Sequence, residues 1–407
     1  MTDDRSRVLV LSRSYPNDVT PVLGLWVEWP TLTVARHAEV EVIAPVPYCP
    51  PLPPLGEMAE RARLRAVPDR ERRHGLEVRH PRFVTGPGYT THRWDSRTYG
   101  LTVRRAVRRV RDAFPFDLIH AHFVYPDGVV AAGLGREYGV PVVVTDHAPW
   151  DPWMHEFPHV RRLAVEATRQ FGAHIAVSRS MAEGIASFTG APERITVIPN
   201  GVDEHLFRPG DPGDRDPDKI LFVGVVRAAK GLDVLLDAFE RLMATRPSAH
   251  LVVVGGGINV DQQRQTDELR ARAAASPAHD RITFTGVLEP AAVARHMATS
   301  AVLVMPSRLE SFGAALIEAL ACGTPVVATR SGGPEDIVVD EVGRLVPVDD
   351  PEALAGAVGD VLAHSERFPA DRLRDYALGQ FGLEQIGARI LEVYRSVLAG
   401  DGGPDGG

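Results

Sequence analysis

Ser307-Arg-Leu-Glu310-Ser-Phe-Gly313-Ala-Ala-Leu-Ile-Glu318-Ala-Leu-Ala-Cys-Gly323-Thr-Pro325 is the stretch on which the reading of this chain turns. Ala-Val-Leu-Val-Met (301–305) before it reads as a buried strand and Pro-Val-Val-Ala-Thr (325–329) after it as another, so a crossover helix of a parallel sheet lies between. At about 100° per residue, Leu316 and Leu320 fall almost opposite Glu318, with Ile317 at one flank. Ala314, Ala315, Ala321 and Cys322 form the face beside it. Small side chains let a ligand approach closely, and a carboxylate among them is costly to bury without a partner. The helix follows the carboxyl end of a strand, where open α/β sheets bind ligands. Its first N–H groups, around Ser311 to Ala314, favour an anion. With Glu310 in the same loop, the pattern suits a phosphorylated sugar. For the segment alone, a solvated Glu318 and a capping Ser311 are an equally good account.

Strand-like runs alternate with helical patterns on both sides of this stretch. They are Arg7–Ser12, Val40–Ala44, Leu118–His122, Val142–Thr145 and Ile175–Val177 in the first half. In the second they are Ile220–Gly224, His250–Gly255, Ile282–Thr285, Ala301–Pro306 and Val326–Ala328. The expected fold is α/β, two doubly wound Rossmann-like parallel-sheet domains. Residues 1–200 make the first domain, 201–218 a linker rich in Pro, Gly and Asp, and 219–380 the second. A closing helix over 381–398, with Ile386, Ile390, Val393 and Val397 on one stripe, is expected to pack back on the first domain, and 399–407 to be a disordered tail.

The 407 residues suffice for two domains, and 44% hydrophobic with 24% charged residues fits a globular protein. No apolar run approaches the roughly 20 residues of a membrane span, and the N-terminus is no signal peptide, so a cytoplasmic location is expected. Cys49 and Cys322 are too few for a disulfide framework. Neither half has the strongly basic face of a nucleic-acid binder. Lysine occurs only at 219 and 230, so each is an unusual choice in an arginine-rich chain. The Asp214-Arg-Asp216 triplet has metal-binding spacing, but a hydrophilic linker supplies such spacings by chance.

Glu310-Ser-Phe-Gly-Ala-Ala-Leu-Ile-Glu318 resembles the E-x7-E motif of family 4 glycosyltransferases of the GT-B fold. The pattern continues through Gly323-Thr-Pro-Val-Val-Ala-Thr and Gly332-Gly333-Pro-Glu335. Ile198-Pro-Asn-Gly-Val-Asp-Glu-His-Leu-Phe-Arg-Pro209 and Ile220-Leu-Phe-Val-Gly-Val-Val-Arg-Ala-Ala-Lys230 are similar to further signatures of that family, and the likeness spans roughly residues 7 to 398. It implies a retaining transfer from a UDP- or GDP-sugar, without a metal or other cofactor, to a glycan, lipid-linked or small-molecule acceptor. It also implies front-face attack, with the leaving phosphate helping to remove the acceptor proton. Glu310 would lie by the donor sugar, and Glu318 would bind the nucleotide ribose. The donor set is Gly24, Ser311, Phe312, Gly313, Ala314, Glu318 and Val287.

Charge grows on the leaving diphosphate oxygen during such a transfer, and fixed cations stabilise it. Lys230, before Gly231 and a new helix, is placed for this. Many relatives carry an arginine where this chain has Val225, and Arg227 is the candidate to replace it. They also carry two glycines where this chain has Gly24 alone.

In Phe116-Asp-Leu-Ile-His120-Ala-His122-Phe-Val-Tyr-Pro-Asp127, the two histidines share one face at a strand's carboxyl end. The resemblance gives His122 to the donor sugar or acceptor hydroxyl; a metal site with Asp127 and His147 is the rival reading. His120, His147, Trp150 and Trp153 are candidate acceptor contacts, with loop packing an equal account of the tryptophans. The basic helix 103–114 carries Val103, Ala106, Val107 and Val110 on its apolar side, which suits core packing or a peripheral contact with anionic lipid. A sugar-nucleotide epimerase and a non-catalytic nucleotide-binding homologue remain as alternatives.

Overall fold

The computed structural model describes residues 5–48, 62–85, 92–257 and 259–400. Cys49 and the tail from 401 lie outside the described residues. The chain divides into two compact units, Met1–Pro199 with Ile386–Gly407, and Asn200–Gln385.

The first unit is built on an eight-stranded sheet ordered β10-β9-β8-β7-β1-β2-β5-β4. Its strands are β1 (Arg7–Leu11), β2 (Glu39–Ile43), β4 (Arg70–Arg73), β5 (Leu76–Arg79), β7 (Leu118–His122), β8 (Val142–Asp146), β9 (Ala173–Ala176) and β10 (Ile195–Val197), with a separate short pair β3 (Val46–Pro47) and β6 (Arg82–Phe83). All neighbours in the large sheet are parallel except β4 on β5. The direction of winding reverses between β1 and β7, so the loops after those strands open a crevice at their carboxyl ends.

Val8, Val10, Val42, Leu118, Val143 and Ile175 fill the core, and Ile386, Ile390, Leu391, Tyr394 and Val397 of the closing helix Leu383–Ala399 belong to the same cluster. A Cβ on Gly387 would come within 2.4 Å of Thr33 Cγ2, so this helix meets the helix Leu25–Val34 at contact distance. In the basic helix His92–Arg111, Val103, Ala106, Val107 and Val110 are buried. Its apolar stripe therefore serves the core.

The second unit carries a six-stranded parallel sheet, ordered β13-β12-β11-β14-β15-β16. The strands are β11 (Lys219–Val223), β12 (His250–Val254), β13 (Ile282–Gly286), β14 (Val302–Met305), β15 (Val326–Thr329) and β16 (Gly343–Val346). This is the dinucleotide-fold order, with its reversal between β11 and β14. Residues 212–214 form a short 3-10 turn. Asp216 Oδ1 accepts from Asp218 N (3.0 Å) and Asp216 Oδ2 lies 3.3 Å from His250 Nε2, so this carboxylate serves the start of β11 and β12.

Candidate active site

In the second unit the reversal brings Lys230, in the loop after β11, against Glu310, in the loop after β14, and Lys230 Nζ donates to Glu310 Oε2. The backbone makes this meeting possible at Gly231, whose φ is +64° and where a Cβ would sit 1.9 Å from Pro306 O. Only glycine fits such an approach. Arg308 ties the two loops together. Its N–H donates to Ala229 O (2.8 Å), Nη1 to Ala228 O (2.6 Å), Nη1 and Nη2 grip Asp233 at 2.9 and 2.7 Å, and Nε reaches Asp349 Oδ1 at 2.6 Å. Arg308 is a residue of this site that neither apolar periodicity nor motif spacing marks. The signal available was an arginine two residues before Glu310, in a loop where bidentate geometry fixes position better than a point charge.

Glu310 is strapped on its other side by backbone bonds, Glu310 N to Ser331 O and Gly333 N to Glu310 O, both 2.9 Å. A Cβ on Gly333 would meet Phe312 Cα at 2.3 Å, so the Gly332-Gly333 pair lets the loop after β15 lie directly against the Glu310 loop. Phe312 is buried edge-on against Phe381, and its side chain therefore belongs to the core. Gly313, at φ +105°, is the N-cap of the helix Ala314–Ala321. The helix begins at the end of the expected Ser311–Ala314 run, because the left-handed cap falls on Gly313 and no side chain caps it. Its free donors start at the N-cap, Gly313. Leu316, Ile317 and Leu320 are buried, while Ala314, Ala315 and Glu318 form the less covered face.

Glu318 has no side-chain hydrogen bond or ion pair among the described residues, and desolvation pushes its carboxyl up to about 7. A carboxyl placed in this way gains most from a ligand that brings hydroxyl donors. Arg227 and Val287 are exposed, Val287 immediately beyond β13, and neither joins the Lys230–Glu310 contact.

In the first unit the reversal gathers the histidines. His122 Nδ1 lies 3.0 Å from His147 Nε2, its ring stacks on His147 (5.3 Å) and lies 4.3 Å from that of His120, and Trp26 approaches His147 at 6.5 Å. His122 Nε2 is buried without a hydrogen-bond partner among the described residues. His120 has both nitrogens engaged, Nδ1 with Tyr394 Oη (2.6 Å) and Nε2 with Thr145 Oγ1 (2.8 Å). Desolvation drives both His120, to about 3, and His122 toward the neutral form.

Gly24, at φ +87°, precedes the helix Leu25–Val34, and a Cβ there would lie 2.0 Å from Ser14 O, so the long first loop doubles back on itself at this residue. Asp127 accepts from Arg13 N (2.9 Å) and Tyr99 Oη (2.5 Å), and burial raises it to about 7. Among the described residues no group of three or more His, Cys, Asp or Glu side chains is arranged to hold a metal ion. Trp150 is buried, and its indole N–H donates to Asp146 Oδ2 (3.0 Å), which also faces His174 Nε2 (2.8 Å); its ring packs on His174 and Phe188 and offers no sugar-sized face. Trp153 packs on Tyr125 and Phe157 and is half-buried.

Residues 206–377 match the family model described as Glycosyl transferases group 1, and residues 34–206 match that of Glycosyltransferase Family 4. The D-inositol 3-phosphate glycosyltransferase of Acidothermus cellulolyticus is 31% identical, over 83% of this chain and 81% of the relative. The chain belongs to glycosyltransferase family 4. It is an enzyme of the glycosyltransferase class. A second relative, the alpha-maltose-1-phosphate synthase of Mycolicibacterium smegmatis, is 30% identical over 71% of this chain and 81% of its own. The fold is GT-B: sucrose-phosphate synthase of Thermosynechococcus elongatus superposes with a TM-score of 0.78 at 21% identity, covering 97% of this chain and 100% of the other. Anabaena HepE in complex with UDP and glucose superposes with a TM-score of 0.72 at 21% identity, covering 96% and 100%. No helix among the described residues is long and apolar enough to cross a membrane.

Proposed function

We propose that this glycosyltransferase moves a hexosyl unit from a nucleoside-diphosphate sugar, UDP- or GDP-linked, to a hydroxyl of a small phosphorylated acceptor. Transfer retains anomeric configuration and needs no metal. The observation that carries this reading is the Lys230–Glu310 pair at the carboxyl ends of β11 and β14, with Glu318, unpartnered among the described residues, on the helix that follows. Lys230 supplies fixed positive charge to the diphosphate as the bond from the anomeric carbon to the phosphate oxygen breaks. Amides of Gly313 and Ala314 face the same anion. Glu318 accepts from the ribose hydroxyls, and Glu310 holds the sugar hydroxyls. The new bond forms from the acceptor oxygen to the same anomeric carbon, and the acceptor proton goes to the departing phosphate oxygen. His122 Nε2, buried and without a hydrogen-bond partner among the described residues, is the group that the first unit offers to a hydroxyl. The phosphorylated acceptor is supported by the relatives named for D-inositol 3-phosphate.

The test is calorimetric titration with UDP, GDP and ADP, with and without chelator. NMR of products from the matching donor with D-inositol 3-phosphate and its unphosphorylated parent then follows. One nucleotide binding unchanged in chelator, and an α-linked product from an α-donor, are expected. Binding that disappears with chelator, or an inverted product, overturns the reading; donor alteration in acceptor-free buffer identifies an epimerase instead.

A further inference from the structure

The first unit holds a second cluster of cationic side chains, at the β4 edge of its sheet. A cavity of about 410 Å³ is lined by Arg70, Arg79, Arg82, Arg105 and Arg109, with Asp69 and Thr102. Three of these arginines are neutralised. Arg70 Nε pairs with Glu77 (2.5 Å), Arg79 Nε with Glu41 (3.3 Å), and Arg82 Nε lies 3.7 Å from Asp69 Oδ1. Arg82 is also fixed in place, since Nη1 donates to Leu64 O (2.6 Å) and Nη2 to Val67 O.

Arg105 and Arg109 have no hydrogen bond or ion pair among the described residues. They stand four apart on the basic helix, so their like charges repel along one face. The same helix treats its other arginines differently. Arg104 and Arg108 both reach Glu137, the latter at 3.6 Å, and Arg111 caps Phe116 O while its guanidinium stacks 4.3 Å over the Phe116 ring. The cavity thus concentrates five guanidinium groups against three carboxylates, with the two surplus charges side by side at its wall. A compact dianion cancels that surplus and can be gripped in bidentate fashion by more than one guanidinium, which a chloride or a single carboxylate cannot do.

We propose that this cavity is a binding site for a phosphate monoester dianion, separate from the Lys230–Glu310 site in the other unit. The shared chemistry is a terminal phosphate. Its source is either a soluble phosphorylated metabolite or the headgroup of an anionic lipid, and the two are told apart by experiment.

Inorganic phosphate and glycerol 3-phosphate are titrated calorimetrically into the full chain, into the double variant Arg105→Gln/Arg109→Gln, and into Lys230→Ala. Flotation with vesicles of phosphatidic acid in phosphatidylcholine, against phosphatidylcholine alone, is run on the same three proteins. Both glutamines replace exposed side chains, and matching circular dichroism and melting temperature verify folding. A phosphate site weakened about tenfold or more by the double variant and kept in Lys230→Ala is the expected result, and it assigns a soluble ligand if vesicles are not bound. Binding confined to phosphatidic acid vesicles, lost in the double variant, assigns a headgroup. Phosphate and vesicle binding unchanged by the double variant, or lost only in Lys230→Ala, overturns the proposal.

Discussion

Tyr394 and His120, 274 residues apart in the chain, lie 2.6 Å apart from Oη to Nδ1. The bond pins the closing helix to β7, and with Thr145 on its other nitrogen the His120 ring cannot turn. His120 in turn lies beside His122, so the last helix of the chain positions the histidine that is offered to a ligand. Tyr394→Phe is expected to cost about 1–2 kcal/mol in denaturant unfolding and to lower kcat with donor KM little changed. Equal kcat in variant and wild type would remove Tyr394 from the positioning of His122.

The same burial sets an acid sensitivity. His120 is depressed from 6.5 to about 3 in the folded protein, so it takes up a proton on unfolding at any pH between these values. A depressed histidine leaves stability intact above its unfolded value and erodes it as pH falls below. His120→Gln keeps hydrogen-bonding groups without the titration, and its melting temperature should fall less than wild type's between about pH 7 and about pH 5. Parallel curves would mean that His120 does not carry the effect.

Lys230 and Glu310 act as one unit in this reading. Either Lys230→Ala or Glu310→Gln should leave the far-ultraviolet spectrum unchanged and cut kcat by about 10²–10³. Because each neutralises the other, the double variant should lose much less than the product of the two single losses. Fully multiplicative losses would show that the two residues act independently.

Arg308 is expected to behave as a positioning residue. Arg308→Lys keeps charge but loses the two-pronged grip on Asp233, which frees the turn at Ala228–Lys230. A loss of about 1–2 kcal/mol in stability together with a raised donor KM is the expected outcome. Retention of both would show that Ala229 and Asp349 hold the turn without the fork.

All ten strands expected from apolar runs are present, because a parallel strand covered on both faces must be apolar along its length. The ones that escaped notice are those for which that rule fails. β4 is Arg-Glu-Arg-Arg, an edge strand whose charges follow from its exposure; β5 alternates, with only Leu76 and Val78 buried; β10 and β16 are the edges of their sheets; and β3 and β6 are two residues each. In the candidate site, Lys230, Glu310 and Glu318 were legible because each breaks a local pattern. Arg308, Asp146 and Tyr394 were not, since their function lies in contacts across 75, 28 and 274 residues that no local spacing encodes. For Trp150 an acceptor contact and loop packing were equal accounts for the same reason: its partner His174 arrives from β9, far along the chain.

Glu318 gives the sharpest test of the donor site. Its carboxyl is raised from 4.5 to about 7 by desolvation alone, so the folded, ligand-free protein holds a proton that the unfolded chain releases. A raised carboxyl therefore lowers stability as pH climbs from its unfolded to its folded value, and Glu318→Gln should raise the melting temperature more at about pH 8 than at about pH 5. A nucleotide whose ribose hydroxyls donate to the carboxylate reverses the preference, pulling the group back to its charged form. Nucleotide affinity should then increase from about pH 6 to about pH 8, with proton release detectable as a buffer-dependent enthalpy, and both trends should vanish in Glu318→Gln. A nucleotide affinity that is flat across this range, or equally pH-dependent in the variant, would place the ribose elsewhere.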